Sequence, residues 1–306
     1  MGNILITTSS FGQRDNEATV ALAAAGHTIH YNPFGRRLTE DDAHALFTEH
    51  DPVGMVAGVE PLTARVLAAA PSLKAIARCG TGLDSVDLEA AKAKDVSVTN
   101  TPGAPALAVA ELAMAHILSS LRRVSEADRK IRGSNWSALS GGLLGARTVG
   151  VIGLGRIGRR VLELIAPFGA RRLGYDPMSP APEGVEAVDL DTLLAASDVV
   201  TLHCPPGAVT FGAAEFAAMK QGAILINTAR GDLLDEAALA DALTSGHLAG
   251  AGLDVFREEP YAGPLAAIDT VTMTAHMGSY AKESRALQER EALDNLVADF
   301  SRLGLL

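Results

Sequence analysis

The chain has 306 residues, 48% of them hydrophobic, which is enough apolar material for two sizeable cores. Lys and Arg total 26 against 36 Asp and Glu, a formal charge of −10, and no Lys/Arg block forms a phosphate-tracking stripe, so nucleic acid and anionic membrane are poor partners. Cys79 and Cys204 are the only cysteines, far apart and without metal-ligand spacing; no disulfide framework and no metal site is expected, and free thiols in a reducing cytosol fit the pattern.

The start, Met1-Gly2-Asn3-Ile4-Leu5-Ile6, has no basic segment followed by a long apolar stretch, and no window reaches the ~18 apolar residues of a membrane span. A soluble, cytoplasmic protein is expected. Strands are predicted at Ile4 to Thr8, Thr28 to Tyr31, Gly54 to Ala57, Leu73 to Ala77 and Val96 to Val98, with helices between them. A single long helix is predicted from Ala106 to about Ile131, read as the crossover between domains, and is followed by Gly133-Ser134-Asn135-Trp136 and Gly141-Gly142. A second series of six strands follows at Val149 to Ile152, Arg172 to Tyr175, Val199 to Leu202, Ala223 to Asn227, Leu248 to Leu253 and Val271 to Thr274. The apolar spacing of Leu287, Leu293, Leu296, Val297, Phe300 and Leu303 predicts a last helix that returns to the first domain. The fold class is α/β, with two doubly wound parallel sheets: a discontinuous, flavodoxin-like substrate domain (1–100 and 281–306) and a dinucleotide-binding domain (101–280).

Gly153-Leu154-Gly155-Arg156-Ile157-Gly158 lies between the apolar run Val149 to Ile152 and the helical run from Arg159 to Ile165. A lone GxGxxG is weak evidence in a chain with 30 glycines, but the strand before it and the helix after it make it a pyrophosphate cradle. Asp176 ends the next strand near the expected spacing of ~20 residues and would accept both adenosine ribose hydroxyls. Pro177-Met178-Ser179 after it offers no cation for a 2′-phosphate, so NAD is favoured over NADP.

Ligands of open parallel sheets sit outside the carboxyl ends of the strands, where this chain places His203, Arg230, Glu259 and His276. Arg230 can hold a carboxylate or 2-oxo group with two parallel donors, although such an arginine can also be a surface ion-pair residue. Glu259, next to Glu258, reads on charge pattern alone as a solvated loop residue. His276 could exchange a proton at neutral pH, with a carboxylate partner fixing its tautomer; His203 is the rival base, in a loop that otherwise looks like a rigid neighbour of the cofactor.

With these residues in place, the sequence resembles the D-isomer-specific 2-hydroxyacid dehydrogenase family over nearly its whole length. The carriers are Arg78 to Asp84, Asn100-Thr101-Pro102-Gly103, Val109 to Leu112, the Gly153 to Gly158 fingerprint with Tyr175-Asp176-Pro177, Asn227 to Gly231, Gly252 to Phe256 with Glu259-Pro260, and His276-Met277-Gly278. The resemblance implies a homodimer, NAD as cofactor and Arg230, Glu259 and His276 as the catalytic set. It implies substrate contacts from Gly58, Val59, Arg78, Gly80, Thr81, Gly82 and Arg230. Cofactor contacts are implied at Thr81, Gly153, Gly155, Arg156, Ile157, Gly158, Asp176, His203, Cys204, Thr228, Asp254, His276 and Gly278.

The segments Thr7 to Gly12, Asn32 to Arg37 and Gly278 to Glu283 are most similar to short members named D-3-phosphoglycerate dehydrogenases. Those enzymes usually carry an arginine for the substrate phosphate where this chain has Ala57-Gly58-Val59-Glu60, leaving Arg36, Arg37 or Arg78 as substitutes. Two smaller departures are Ala275, where proline is common and whose absence is expected to loosen the backbone approaching His276, and a shortened loop containing Gly207. The expected reaction is hydride transfer between nicotinamide and C2 of a 2-hydroxy acid. The alternatives are an NAD(H)-sensing scaffold without turnover and a dehydrogenase of another small anion such as formate or phosphite.

Overall fold

Short β-branched and apolar runs alternate with alanine- and leucine-rich helices in the computed structural model, which describes residues 2–9, 11–12 and 16–306. Met1 of the N-terminal run and Ser10 of the Thr7 to Gly12 segment lie outside the described residues. The chain separates into two compact units, residues Met1–Pro105 with Ser279–Leu306, and residues Ala106–Gly278. Both sheets are parallel throughout.

The first unit carries β1 (Asn3–Ile6), α1 (Glu17–Ala24), β2 (Thr28–Tyr31), α2 (Glu40–His50), β3 (Pro52–Ala57), α3 (Ala64–Ala68), β4 (Ala75–Arg78), α4 (Leu88–Ala93) and β5 (Ser97–Asn100). Asn16, Thr39, Thr63 and Asp87 start the four helices by accepting a backbone N–H with their side chains, the expected use of these residue types. The strand order β2-β1-β3-β4-β5 reverses direction between β1 and β3, the point in an open parallel sheet where ligands generally bind at the carboxyl ends. The C-terminal helix Lys282–Leu303 belongs to this unit, burying Ala292, Leu293, Leu296 and Phe300 in one cluster with Ile4, Ile6, Val56 and Ala77. Leu5, Met55 and Ile76 point to the other face, against Phe47, Leu62 and Leu67.

The second unit carries α5 (Ala106–Arg122), α6 (Val124–Arg132), β6 (Thr148–Ile152), α7 (Arg156–Ile165), β7 (Arg171–Tyr175), β8 (Glu186–Ala187), α8 (Leu190–Ala196), β9 (Val199–Leu202), α9 (Ala213–Ala218), β10 (Ala223–Asn227), α10 (Glu236–Thr244), β11 (Leu248–Leu253) and β12 (Val271–Met273). Its strand order is β12-β11-β10-β9-β6-β7-β8, with the reversal between β6 and β9. Fully buried Val151, Leu225 and Ala251 show why these strands read as continuous apolar runs: helices cover both faces.

Several sequence expectations need correction. The helix predicted from Ala106 to about Ile131 is two helices, because Arg123 adopts a left-handed backbone (φ 54°). Its guanidinium pairs with Glu126 at 2.8 Å, and the freed carbonyl of Leu121 accepts the Gly142 N–H at 2.9 Å. A Cβ on Gly141 would lie 2.5 Å from that same carbonyl oxygen, so the glycine pair lets the returning chain close on the break. The second sheet has a seventh strand, β8, absent from the expected six: two exposed residues with no apolar signal, joined to the edge by parallel pairing and the Arg171 to Glu186 ion pair. Strands β4 and β5 also run further than expected, to Arg78 and Asn100, because polar residues still pair at the end of the sheet.

Candidate active site

In the second unit, the turn leaving β6 is shaped by three glycines with three different surroundings. Gly153 has φ 94°, and a Cβ there would lie 2.6 Å from the His203 carbonyl, so only glycine fits both the turn and the approach. At Gly158 an added Cβ would meet the Gly153 carbonyl oxygen at 1.9 Å. Around Gly155, by contrast, nothing lies within 4 Å of where a Cβ would stand, so the N-terminus of α7 is open to an approaching group. That is the geometry a pyrophosphate needs: free backbone donors at the positive end of a helix dipole.

Asp176 follows β7 and turns its carboxylate back over this loop. Oδ2 accepts from the Leu154 N–H at 2.7 Å, and Oδ1 from Met178 and Ser179 at 2.8 and 3.1 Å. Burial acts to raise its pKa, but these three amides and nearby Arg159 outweigh it and hold the carboxyl below its ordinary value. An ionised, fixed acceptor therefore stands beside the glycine turn. Arg159 is a cation the sequence reading missed here, though its guanidinium already donates to the carbonyls of Leu154 and Pro180.

Further groups complete the cofactor end. The Thr228 hydroxyl and His203 Nδ1 are buried without a hydrogen-bond partner, as expected where a polar ligand supplies one. His203 Nε2 contacts the Thr201 hydroxyl at 2.9 Å, and burial pushes the imidazole down to about 3, so it is neutral at physiological pH and a poor rival as proton carrier. Burial likewise pushes the Cys204 thiol up to about 11, leaving it a protonated packing residue. The open helix end, the fixed acid and the unpartnered atoms together fit a dinucleotide.

Arg230, Glu259 and His276 sit in the loops after the adjacent strands β10, β11 and β12. Buried Asn227 shapes the first loop, accepting the Ala229 N–H at 3.0 Å and donating to the Arg230 carbonyl at 2.8 Å. His276 Nδ1 lies 2.8 Å from Glu259 Oε2 and 3.1 Å from Oε1. Because a carboxylate only accepts, Nδ1 carries the proton of this bond and Nε2 is left for another partner. Glu259 is itself held by the Phe256 N–H at 3.2 Å and by His276, which leaves its side chain 23% exposed, so it is not the freely solvated loop acid that its charge pattern suggested. The backbone of His276 is left-handed (φ 49°).

What holds that uncommon backbone is Asp254. Its carbonyl accepts the His276 N–H at 2.8 Å, and its buried carboxylate accepts Met277 N–H at 2.9 Å, Gly278 N–H at 2.8 Å and the Thr274 hydroxyl at 2.5 Å. Thr274 in turn meets Nε2 of buried His116 at 3.0 Å. The sequence reading missed this chain; its only signal was a single polar His116 on the apolar face of α5. The same grip offsets the freedom expected from Ala275.

The remaining candidates lie in the first unit, at the carboxyl ends of β3 and β4. Gly58 and Val59 follow β3, where Glu60 turns its side chain inward. Arg78 folds over Gly80 and donates to the Cys79 carbonyl, while Thr101 clamps Gly80 with backbone and side-chain bonds of 2.9 and 2.8 Å. The Thr81 carbonyl accepts from Asn100 at 2.6 Å, fixing the loop that runs on to Gly82. Arg36 is paired with Asp42 at 2.7 Å and Arg37 is exposed on the same loop after β2.

Comparison with known proteins agrees with this geometry. Residues 114–278 match the family described as D-isomer specific 2-hydroxyacid dehydrogenase, NAD binding domain. The chain is 44% identical over 261 residues to the D-3-phosphoglycerate dehydrogenase of Mycobacterium bovis, an alignment covering 82% of this chain and 48% of that protein, so it spans about half the length of that relative. It is 38% identical over 278 residues to the hydroxypyruvate reductase of Thermotoga maritima, covering 88% of this chain and 90% of that one. A crystal structure of a Thermus thermophilus protein superposes with a TM-score of 0.87 at 35% identity, covering 98% of this chain and 97% of the other. The chain belongs to the D-isomer specific 2-hydroxyacid dehydrogenase family.

Proposed function

We propose that the protein is an NAD-dependent dehydrogenase that interconverts a D-2-hydroxy acid and its 2-oxo acid. The observation that carries this reading is the 2.8 Å bond between His276 Nδ1 and Glu259, on strand ends of the same sheet as the Gly153 to Asp176 cradle. The cradle, with Arg156 and Ile157 opening α7, would hold NAD through its pyrophosphate and ribose. Cys204, Thr228, Asp254 and Gly278 of the same unit are proposed to hold the rest of it, and Thr81 is a further candidate. When bound, NAD supplies the hydride acceptor or donor at its nicotinamide ring.

The chain's own residues handle the proton and the charge. In the oxidation direction His276 Nε2 takes the C2 hydroxyl proton; in reduction it returns that proton to the carbonyl oxygen. Glu259 aims the ring and balances the imidazolium that forms. Arg230 binds the substrate carboxylate with its planar donors and polarises the carbonyl. The first unit is proposed as the substrate unit, with Gly58, Val59, Arg78 and the Gly80 to Gly82 loop as its candidate residues.

Exposed Leu107, Val124, Ile131, Trp136 and Leu143 on and after α5 and α6 support a homodimer, which light scattering would test. Both cysteines are free and buried, in keeping with a cytoplasmic setting, and among the described residues no helix is long and apolar enough to cross a membrane. The deciding experiment follows NADH absorbance with hydroxypyruvate, phosphohydroxypyruvate, glyoxylate, pyruvate and bulkier 2-oxo acids. Saturable turnover on at least one is the expected result. NADH binding with no turnover on any of them would replace the enzyme by a sensor.

A further inference from the structure

His116 is the one polar side chain among the buried residues of α5. It packs against β11, where a Cβ on Gly252 would stand 2.8 Å from the His116 Cβ, so the ring has this seat because residue 252 is glycine. Val109, two turns earlier on the same face of α5, comes within 3.3 Å of the position a Cβ would take on Gly278. One face of one helix therefore supports the His276 turn at both ends, through His116 at Thr274 and through Val109 at Gly278.

The bonds of this chain run in one direction. The Asp254 carboxylate takes the Met277 and Gly278 amides and has no proton to give, so its 2.5 Å bond with Thr274 is donated by the hydroxyl. That uses the only proton of the hydroxyl. The 3.0 Å contact with His116 is then one that Thr274 accepts, which places a proton on His116 Nε2. Burial pushes the His116 imidazole down against the opposing charge of Asp254, so the ring is neutral and its single proton is the one Thr274 receives. A threonine hydroxyl has several staggered positions to choose from, and here one accepted and one donated bond select the same position. The Asp254 carbonyl and carboxylate then hold three successive amides, those of His276, Met277 and Gly278, around the left-handed backbone of His276. Without the His116 donor, the hydroxyl keeps a single tie, to a carboxylate that must also hold two of those amides.

Building on the reading that His276 carries the proton, we propose that His116 is a positioning residue for it. The Nε2–H of His116 locks Thr274 onto Asp254, and Asp254 sets the turn that aims the His276 ring. His116 acts through Thr274, so a donor at that point matters and the rest of the imidazole does not.

The test compares His116→Leu, which fills the space without a donor, with His116→Gln, whose amide brings an N–H close to the same point, and with Thr274→Val and the double variant His116→Leu/Thr274→Val. Steady-state reduction of the best 2-oxo acid, NADH titration and a thermal melt are read beside nitrogen NMR of the histidine rings. In the wild type His116 should be the neutral Nε2–H tautomer. His116→Leu should lower kcat at least about fivefold and leave NADH affinity and substrate KM within about twofold, because Arg230 and the glycine turn lie outside this chain of bonds. It should also displace or broaden the ring signals of His276. His116→Gln should restore those signals and bring kcat to within about twofold of the wild type. The double variant should lose no more than about twofold beyond Thr274→Val alone, since both changes act on one hydroxyl. A wild-type His116 protonated on Nδ1 alone overturns the proposal, as do unchanged kcat and His276 signals in His116→Leu. Equal losses in His116→Leu and His116→Gln, or losses that multiply in the double variant, reduce His116 to packing and overturn it too. If His116→Leu does not fold, Thr274→Val and the wild-type tautomer decide. A wild type that reduces no 2-oxo acid sinks the dehydrogenase reading, and the ring signals of His276 in the same variants then decide the role of His116 by themselves.

Discussion

The two ends of the candidate site in the second unit are built by opposite means. At the cofactor end, shape comes from side chains that are missing: Gly153, Gly155 and Gly158 let backbone approach backbone and leave donors open. At the proton-transfer end, shape comes from polar side chains, with buried Asn227, Asp254 and His116 and half-buried Thr274 bonding the loops that carry Arg230 and His276. Adding one carbon should therefore break the first end, whereas the second should fail when a hydrogen bond or a charge is removed. The contrast also explains His203 and His276, both in loops at the strand ends of one sheet: burial keeps the first neutral, while the second is half exposed and faces a carboxylate.

The largest effect is expected from Gly158→Ala. Its Cβ would overlap the Gly153 carbonyl at 1.9 Å, so α7 must shift away from β6 and NADH affinity should fall by about two orders of magnitude or the fold should be lost. Fluorescence titration with NADH, read beside a thermal melt, checks this; an alanine variant with wild-type affinity would break the contrast.

Arg230→Lys comes next. An ammonium lacks the planar pair of donors, so kcat/KM should drop about 10²-fold or more with NADH binding little changed. Steady-state kinetics on the best 2-oxo acid decides, and near wild-type activity would move the anion-binding role towards Arg78.

How far this contrast could be read from sequence follows from its two halves. Glycine has no side chain to interpret, yet its spacing between a strand and a helix is itself the signal, and Asp176 follows at a fixed distance; the cofactor end was legible. Arg230 and His276 were legible as charged or titratable residues at strand ends. Glu259 was not, on charge pattern alone, because its partner lies 17 positions away and only the fold brings it within 2.8 Å. The inward turn of Glu60, the left-handed Arg123 and the His116 to Thr274 to Asp254 chain depend on long-range packing that no local window contains. The short strand β8 forms by pairing with an existing edge, which leaves no periodic trace.

A smaller effect is expected at Asp176. Replacement by Ala removes both the proposed ribose acceptor and the charge that would face a 2′-phosphate, so the preference for NAD over NADP should narrow by about tenfold. Equal kcat/KM for the two cofactors in the wild type would remove the basis of this argument.

The smallest concerns pH. The His203 imidazole sits at about 3 in the folded chain against an ordinary value of 6.5, so the unfolded state binds the extra proton between those limits. Stability contributed by neutral His203 is full above about pH 6.5 and is lost as pH falls towards 3. The Tm of His203→Gln should accordingly decline less on acidification than that of the wild type, by about 2–4 °C for each kcal/mol removed. Parallel Tm curves against pH would show that the ring titrates without consequence.

The most direct test of the account is His276→Ala, assayed together for NADH binding and for 2-oxo acid reduction. The proposed pyrophosphate and ribose contacts lie at the Gly153 to Asp176 end, so the expected result is NADH affinity within about threefold of the wild type and turnover reduced by about 10³-fold or more. Retained turnover would contradict the assignment of proton transfer to His276 and with it the proposed chemistry of this strand edge.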